Sequence, residues 1–281
     1  MKVVVTGGAG FIGSHLVDAL IARGREVVAV DNLVSGDTAN LKHLRTHPRL
    51  RFVEDDVTDW AHPDNLHGVD TVYHQAASKM TVCLDDPELD LRVNALGTLR
   101  LLTAAREAGV RKFVHASTGS VLDGRPVSFY GASKLAAEAY VRIFAQHLDT
   151  TILRYYHVIG ARQNPTDRTG GVAAIFARRK REGLPLIIYG DGEQRRSFTS
   201  VFDVVEANLM VAEQPETRGA TYVCASGISV SINELAQHVG GSIEYQPARP
   251  GDVRCFDIDN SGLTALGLAF DTDWRSIVDR I

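Results

Sequence analysis

The stretch Thr6-Gly7-Gly8-Ala9-Gly10-Phe11-Ile12-Gly13 follows directly on the apolar run Val3-Val4-Val5. Glycines clustered where a buried strand should become a helix leave few architectures open, because glycine marks backbone that turns sharply or approaches another group closely. Missing side chains at Gly7, Gly10 and Gly13 let backbone N–H groups and the next helix N-terminus approach a pyrophosphate. A helical pattern follows over 14–24, with Leu16, Val17, Leu20 and Ile21 on one face and Gly24 as its stop. The strand-like EVVAVD (26–31) then ends on Asp31, 18 residues after Gly13. A carboxylate there accepts both ribose hydroxyls of an adenosine and repels a 2′-phosphate, so the order of features predicts NAD rather than NADP.

Further β-branched runs, VDTVYH (69–74), KFVHAS (112–117) and TTILR (150–154), alternate with helical patterns and predict a parallel sheet with helices on both faces. The 281 residues are enough for one large α/β domain or a domain with a lobe. The segments Leu89–Ala108 and Tyr130–Leu148 carry apolar residues around more than half of each helix, which predicts burial against the sheet on one side and a partner subunit on the other.

Composition excludes several classes. A net charge of −4 provides no generic basic footprint for nucleic acid. The run Arg178-Arg179-Lys180-Arg181 reads as the solvated face of a helix beginning near Gly171, with Val172, Ile175 and Phe176 facing inward. Cys83, Cys224 and Cys255 form no CxxC pair, which suits a reducing cytoplasm and casts them as packing residues. His43, His47, His62 and His67 invite a metal reading, but His47-Pro48 breaks the helix that would pair the first two, and no metal is expected. With no long apolar run and a first strand at Lys2, the expectation is a cytoplasmic protein without a membrane span.

The spacing GxxGxxG together with YGASK (130–134) resembles the extended short-chain dehydrogenase/reductase family, in its nucleotide-sugar epimerase and dehydratase branch. DNLVSG (31–36), DDV (55–57), HQAA (74–77), NALGT (94–98), LRYYHVIGARQ (153–163), IYGDGEQRRSFTSVFDVVEAN (188–208) and RPGDV (249–253) resemble family motifs in the expected order, over nearly the whole chain. The resemblance implies a Rossmann-type doubly wound parallel sheet over 1–155, with 198–226 returning to it. A smaller C-terminal substrate-binding lobe would comprise 156–197 and 227–281. Phe11, Ile12 and Asn32 would join the glycines and Asp31 around NAD. Asp56 and Val57 would edge the adenine, Ala76 and Ala77 would line the cofactor path, and Lys79 would meet the nicotinamide ribose. Asn94 would fix the geometry of the central helix.

Tyr130 and Lys134 lie one helical turn apart, so both side chains can reach one site. A phenol near pKa 10 is a poor base at neutral pH, and a neighbouring ammonium favours its ionised form. The alignment of STGSVLDG (117–124) with the family pattern puts Thr118 at the catalytic hydroxyl position, where it would donate to a sugar oxygen. The next two residues bear on the reaction. Sugar 4,6-dehydratases of the family carry Asp-Glu there, to protonate a leaving hydroxyl and remove a proton; here stand Gly119 and Ser120. The related decarboxylases usually keep the Glu.

The resulting expectation is a UDP-sugar 4-epimerase working through a transient 4-keto sugar with no net redox. Arg196 and Arg249 would pair with the diphosphate, Val172 would meet the uracil, and His157, Asp252 and Phe256 would contact substrate. His157 replaces the family's usual Asn, Leu122 its usual Tyr, and the loop Asp123–Phe129 is short, all of which widens the choice of sugar. A bulky Phe256 disfavours an N-acetyl group. The rival expectations are another nucleotide-sugar enzyme (dehydratase, decarboxylase or reductase) and a non-catalytic dinucleotide sensor. Dimerisation would pair the two apolar helices with their symmetry mates.

Overall fold

The computed structural model describes residues 1–78, 84–166, 170–248 and 253–281. Lys79, Arg249 and Asp252, named above as candidates, lie outside the described residues, as does Cys83. The chain divides into two compact units, Met1–Arg154 with Val205–Tyr222, and Tyr155–Val204 with Val223–Ile281.

The first unit is built on β1 (Lys2–Thr6), β2 (Glu26–Asp31), β3 (Leu50–Glu54), β4 (Val69–His74), β5 (Lys112–Thr118) and β6 (Asp149–Tyr155). With Thr221–Cys224 added at one edge, these strands form a seven-stranded sheet ordered from that edge as β6, β5, β4, β1, β2, β3. The pairings of β1 with β2 and β4, of β2 with β3 and of β4 with β5 are parallel. Strand order therefore reverses between β1 and β4, the switch point at which doubly wound sheets bind ligands. Helix α1 (Phe11–Ala22) leaves the end of β1, and α2 (Val57–Trp60) follows β3. The long segment after β4 comprises α3 (Pro87–Leu91), a π turn over Arg92–Gly97, and α4 (Thr98–Glu107). Helix α5 (Phe129–Phe144) follows β5.

Burial follows the two periodicities. Val4, Val28, Val30 and Val72 from the strands pack with Leu101, Leu102 and Ala105 of α4 and Val141 of α5 in one apolar core. The expected second apolar side of the long helices is exposed in the single chain, at Leu91, Leu96, Tyr140 and Ile143. Gly7 stands at the switch point with φ +68°, and a Cβ there would lie 2.8 Å from the Ala76 backbone nitrogen. The loops after β1 and β4 thus meet at a distance only glycine allows.

The second unit has its own core, in which Ile159, Phe176, Ile188, Phe198, Leu235 and Trp274 pack together. Its helix α6 (Val172–Arg181) carries the basic run. Lys180 and Arg181 are exposed and Arg178 and Arg179 half-buried, and each of these cations also reaches a carbonyl: Arg178 that of Pro165, Arg179 that of Pro185, Lys180 that of Val239 and Arg181 that of Ile281. Of the two described cysteines, Cys224 is buried as expected, whereas Cys255 is exposed, because Phe256 rather than its neighbour turns toward Tyr156 and His157. Among the described residues, no helix is long and apolar enough to cross a membrane. His43 pairs with Asp18 at 2.7 Å, while His47 and His62 accept backbone N–H groups of their own turns.

Candidate active site

The dinucleotide side begins at α1. Its N-cap is Gly10, which has no side chain to close the helix N-terminus, so the first-turn N–H groups keep their attraction for an anion. At the end of β2 the Asp31 carboxylate is buried, with Oδ2 accepting from Ala9 N (3.0 Å) and Oδ1 from Leu33 N (2.9 Å). Burial pushes its pKa up, against the lowering effect of these backbone bonds. Each oxygen retains a lone pair for a further donor. Gly36 clears the space beside it, since a Cβ there would sit 2.6 Å from Asp31 Oδ1. Asn32 Nδ2 donates to Asp56 Oδ2 (2.7 Å), and Asp56 caps α2 by accepting from Thr58 N (2.8 Å), placing buried Val57 behind it. Burial would raise the Asp56 pKa, but the bonds from Thr58 and Asn32 outweigh it and hold it low.

A directed hydrogen-bond chain joins the loops at the switch point. Thr98 Oγ1 donates to the Asn94 carbonyl (2.6 Å), so it must accept from His74 Nε2 (2.9 Å). His74 Nδ1 then accepts from Thr6 Oγ1 (2.7 Å), whose oxygen accepts from Ala76 N (3.2 Å). The imidazole stays neutral: burial, aided by the charge of Lys134, drives its pKa down to about 3. Ala76 is thereby held against β1. Asn94, expected to fix the central helix, sits within the π turn and accepts from Ser78 N through Oδ1 (2.9 Å). π turns occur where a helix is distorted to aim a group.

Thr118 ends β5, where its Oγ1 accepts from Ser120 N (3.2 Å) and lies 3.3 Å from Ser120 Oγ. The turn through Gly119 and Ser120 presents hydroxyls and no carboxylate. Helix α5 starts beside it, capped by Ser128, which accepts from Gly131 N. Gly131 permits that approach, because a Cβ would meet the Ser120 carbonyl at 2.4 Å. Partly buried Tyr130 and fully buried Lys134 occupy the first turns of α5. Lys134 Nζ donates to the Ala116 carbonyl (2.6 Å). Burial lowers its pKa to about 8, while the charges of Glu138 and Asp90 hold it from falling further. At neutral pH Lys134 is therefore an ammonium in a dry setting, the condition that favours a nearby phenolate.

Sequence reasoning missed three residues here. Glu138, fully buried, accepts from Ser117 Oγ (2.6 Å), from Arg154 (2.8 Å to each oxygen) and from Arg142 (2.6 Å). Asp90 and Ser133 are buried and bonded to each other. Their only signal in the sequence is a polar residue at an inward position of an apolar helix.

In the second unit, His157 adopts φ +40° and packs edge-on to Phe256, with ring centres 5.1 Å apart. Its Nδ1 is buried without a partner, and burial, with the charge of Arg196, lowers its pKa to about 3. The Arg196 guanidinium lies 5.7 Å from the Phe256 ring centre and donates to the Val253 carbonyl (2.8 Å). Val172 is the first residue of α6 and packs on the unit's core. The structure thus brings Arg196, His157 and Phe256 together.

The model of the NAD dependent epimerase/dehydratase family matches residues 3–225. The chain belongs to this family. A UDP-glucose 4-epimerase of Mycolicibacterium smegmatis is 35% identical over 289 aligned positions, covering 93% of this chain and 90% of that protein. The crystal structure of Thermus thermophilus UDP-glucose 4-epimerase in complex with NAD superposes with a TM-score of 0.87 at 35% identity, covering 100% of this chain and 97% of that one. UDP-glucuronic acid decarboxylase 1 of Arabidopsis thaliana is 34% identical, covering 90% of this chain and 62% of that protein. Identity alone does not separate these activities. The cofactor of an NAD dependent epimerase/dehydratase fits this chain: an uncapped helix N-terminus suits the pyrophosphate, and a buried carboxylate with spare lone pairs, beside the space left at Gly36, suits the adenosine ribose.

Proposed function

We propose that the protein is a UDP-sugar 4-epimerase. The observation that carries this reading is that the two positions directly after Thr118 are Gly119 and Ser120, so the place next to Thr118 holds the Ser120 hydroxyl and not a carboxylate. Elimination of water from a sugar needs an acid and a base at that place, and inversion at C4 needs neither. NAD, when bound, supplies a reversible acceptor for the hydrogen on C4. Tyr130 takes the proton of the C4 hydroxyl, Lys134 stabilises the phenolate, and Thr118 holds the sugar oxygen. After the 4-keto sugar has turned, Tyr130 returns the proton. Asp31 orients the adenosine half with Asn32, Asp56 and Val57, and Lys79 meets the nicotinamide ribose.

The second unit supplies substrate recognition in this reading: Arg196 and Arg249 toward the diphosphate, Val172 toward the base, and His157, Asp252 and Phe256 toward the sugar. A bulky Phe256 favours sugars without an N-acetyl group. The exposed Leu91, Leu96, Tyr140 and Ile143 support a homodimer through α3–α4 and α5, which light scattering of the purified protein tests; a monomer at micromolar concentration argues against it. The assignment to the cytoplasm rests on cysteine usage and is tested by fractionation of the native host.

The deciding experiment is proton NMR of the purified protein with UDP-glucose, UDP-galactose and UDP-glucuronate in turn, without added cofactor. Growth of the C4 epimer's anomeric signal supports the reading. A UDP-xylose signal from UDP-glucuronate would replace it with decarboxylation.

A further inference from the structure

Asp90 is fully buried in α3, and both of its hydrogen-bond partners are neutral donors. Ser133 Oγ donates to Oδ2 at 2.5 Å and Asn94 Nδ2 to Oδ1 at 3.0 Å. Asn94 Nδ2 also lies 3.0 Å from Ser133 Oγ, and Ser133 Oγ lies 3.0 Å from the Tyr130 carbonyl. Burying a carboxylate among neutral groups is costly unless a cation stands near. The residue after Ser133 is Lys134.

Besides Tyr130 one turn before it, four ionisable groups among the described residues act on Lys134. Glu138 lies one turn further along α5, Asp90 on α3, His74 at the end of β4 and His115 on β5. Burial keeps both histidines neutral. Glu138 is already matched by Arg154 and Arg142. Among the described residues, no arginine pairs with Asp90, and its partners are the neutral Ser133 and Asn94.

We propose that Asp90 is a positioning residue for the reaction: through Ser133 it ties the first turn of α5, which carries Tyr130, to the π turn, and it sets a buried carboxylate against the turn of α5 that bears Lys134. The inference rests on Tyr130 and Lys134 being the reacting pair. Asp90→Asn removes the charge and keeps the shape, with its amide able to donate to Ser133 and its carbonyl to accept from Asn94. Ser133→Ala removes the tie and keeps the charge.

The test is the titration of Lys134 in protein labelled with 13C at lysine Cε, the signal being assigned with Lys134→Met, alongside kcat and KM against pH. Asp90→Asn should lower the Lys134 midpoint by about one unit and move the alkaline limb of kcat by the same amount. Asp90→Ser, which removes the same charge with a smaller side chain, should shift it in the same direction. Ser133→Ala should lower kcat more than it changes KM and leave both midpoints in place. An unmoved Lys134 midpoint in both Asp90 variants overturns the inference, as does a Ser133→Ala enzyme with unchanged kcat. The titration needs no substrate, so a shifted midpoint in a protein that turns over no UDP-sugar would sink the epimerase reading and leave the role of the Asp90 charge standing.

Discussion

Lys134 donates to the carbonyl of Ala116, two residues before Thr118, at 2.6 Å. One bond thus ties α5, which carries Tyr130, to the end of β5, which carries Thr118. Their relative position is set by backbone and a buried ammonium rather than by the short loop between them.

On the epimerase reading, in which the phenol oxygen moves a proton, Tyr130→Phe should lower kcat by about 10²–10⁴-fold while the purified protein still carries NAD. Thr118→Val should also lower kcat. Anomeric NMR rates and cofactor released on denaturation give the two readouts; full turnover by Tyr130→Phe would rule out the mechanism.

Asp31→Asn should lower the NAD retained through purification and narrow the preference over NADP, since a neutral amide no longer repels a 2′-phosphate. Isothermal titration with both dinucleotides checks this. Undiminished discrimination would assign it to another residue.

Glu138→Ala leaves the largely buried Arg154 without the carboxylate that it pairs with and should cost roughly 3–5 kcal/mol in chemical denaturation at neutral pH. Burial raises the Glu138 pKa, but the bonds from Arg154 and Ser117 and the two arginine charges outweigh it, so the folded value lies below the ordinary 4.5. The stabilisation is therefore complete above about pH 4.5 and is lost as pH falls through the lower folded value. The gap between parent and variant should close in acid.

His115→Leu should keep or raise Tm. Both ring nitrogens of His115 are buried without a partner, and such a group costs about 1–3 kcal/mol compared with an apolar one of similar shape. Burial, helped by the charges of Lys134 and His74, holds its pKa well below the ordinary 6.5. The unfolded chain then binds the proton first, and the parent loses stability as pH falls below about 6.5. His115→Leu should lose less over the same range, as thermal melts from pH 7 to pH 4 would reveal.

The sequence by itself determined the alternation of strands and helices, the glycine-bearing turn after β1, and Asp31 at the end of β2, because these are local patterns of period, turn chemistry and chain order. Ordered motifs also sufficed to reach the family. It did not contain the helix boundaries: the pattern from Leu89 to Ala108 is one helical repeat on paper, yet Asn94 lies in a π turn, where its Nδ2 donates to Asp90 and Ser133 and its Oδ1 accepts from Ser78 N. Nor could the four basic residues of α6 be assigned their carbonyls, since Val239 and Ile281 are remote in the chain. Asp90, Ser133 and Glu138 read along the helices as stray polar residues. Only the tertiary structure decided that they surround Lys134, because the cost of a buried charge is set by what packing brings within a few ångströms and not by what adjoins it in sequence.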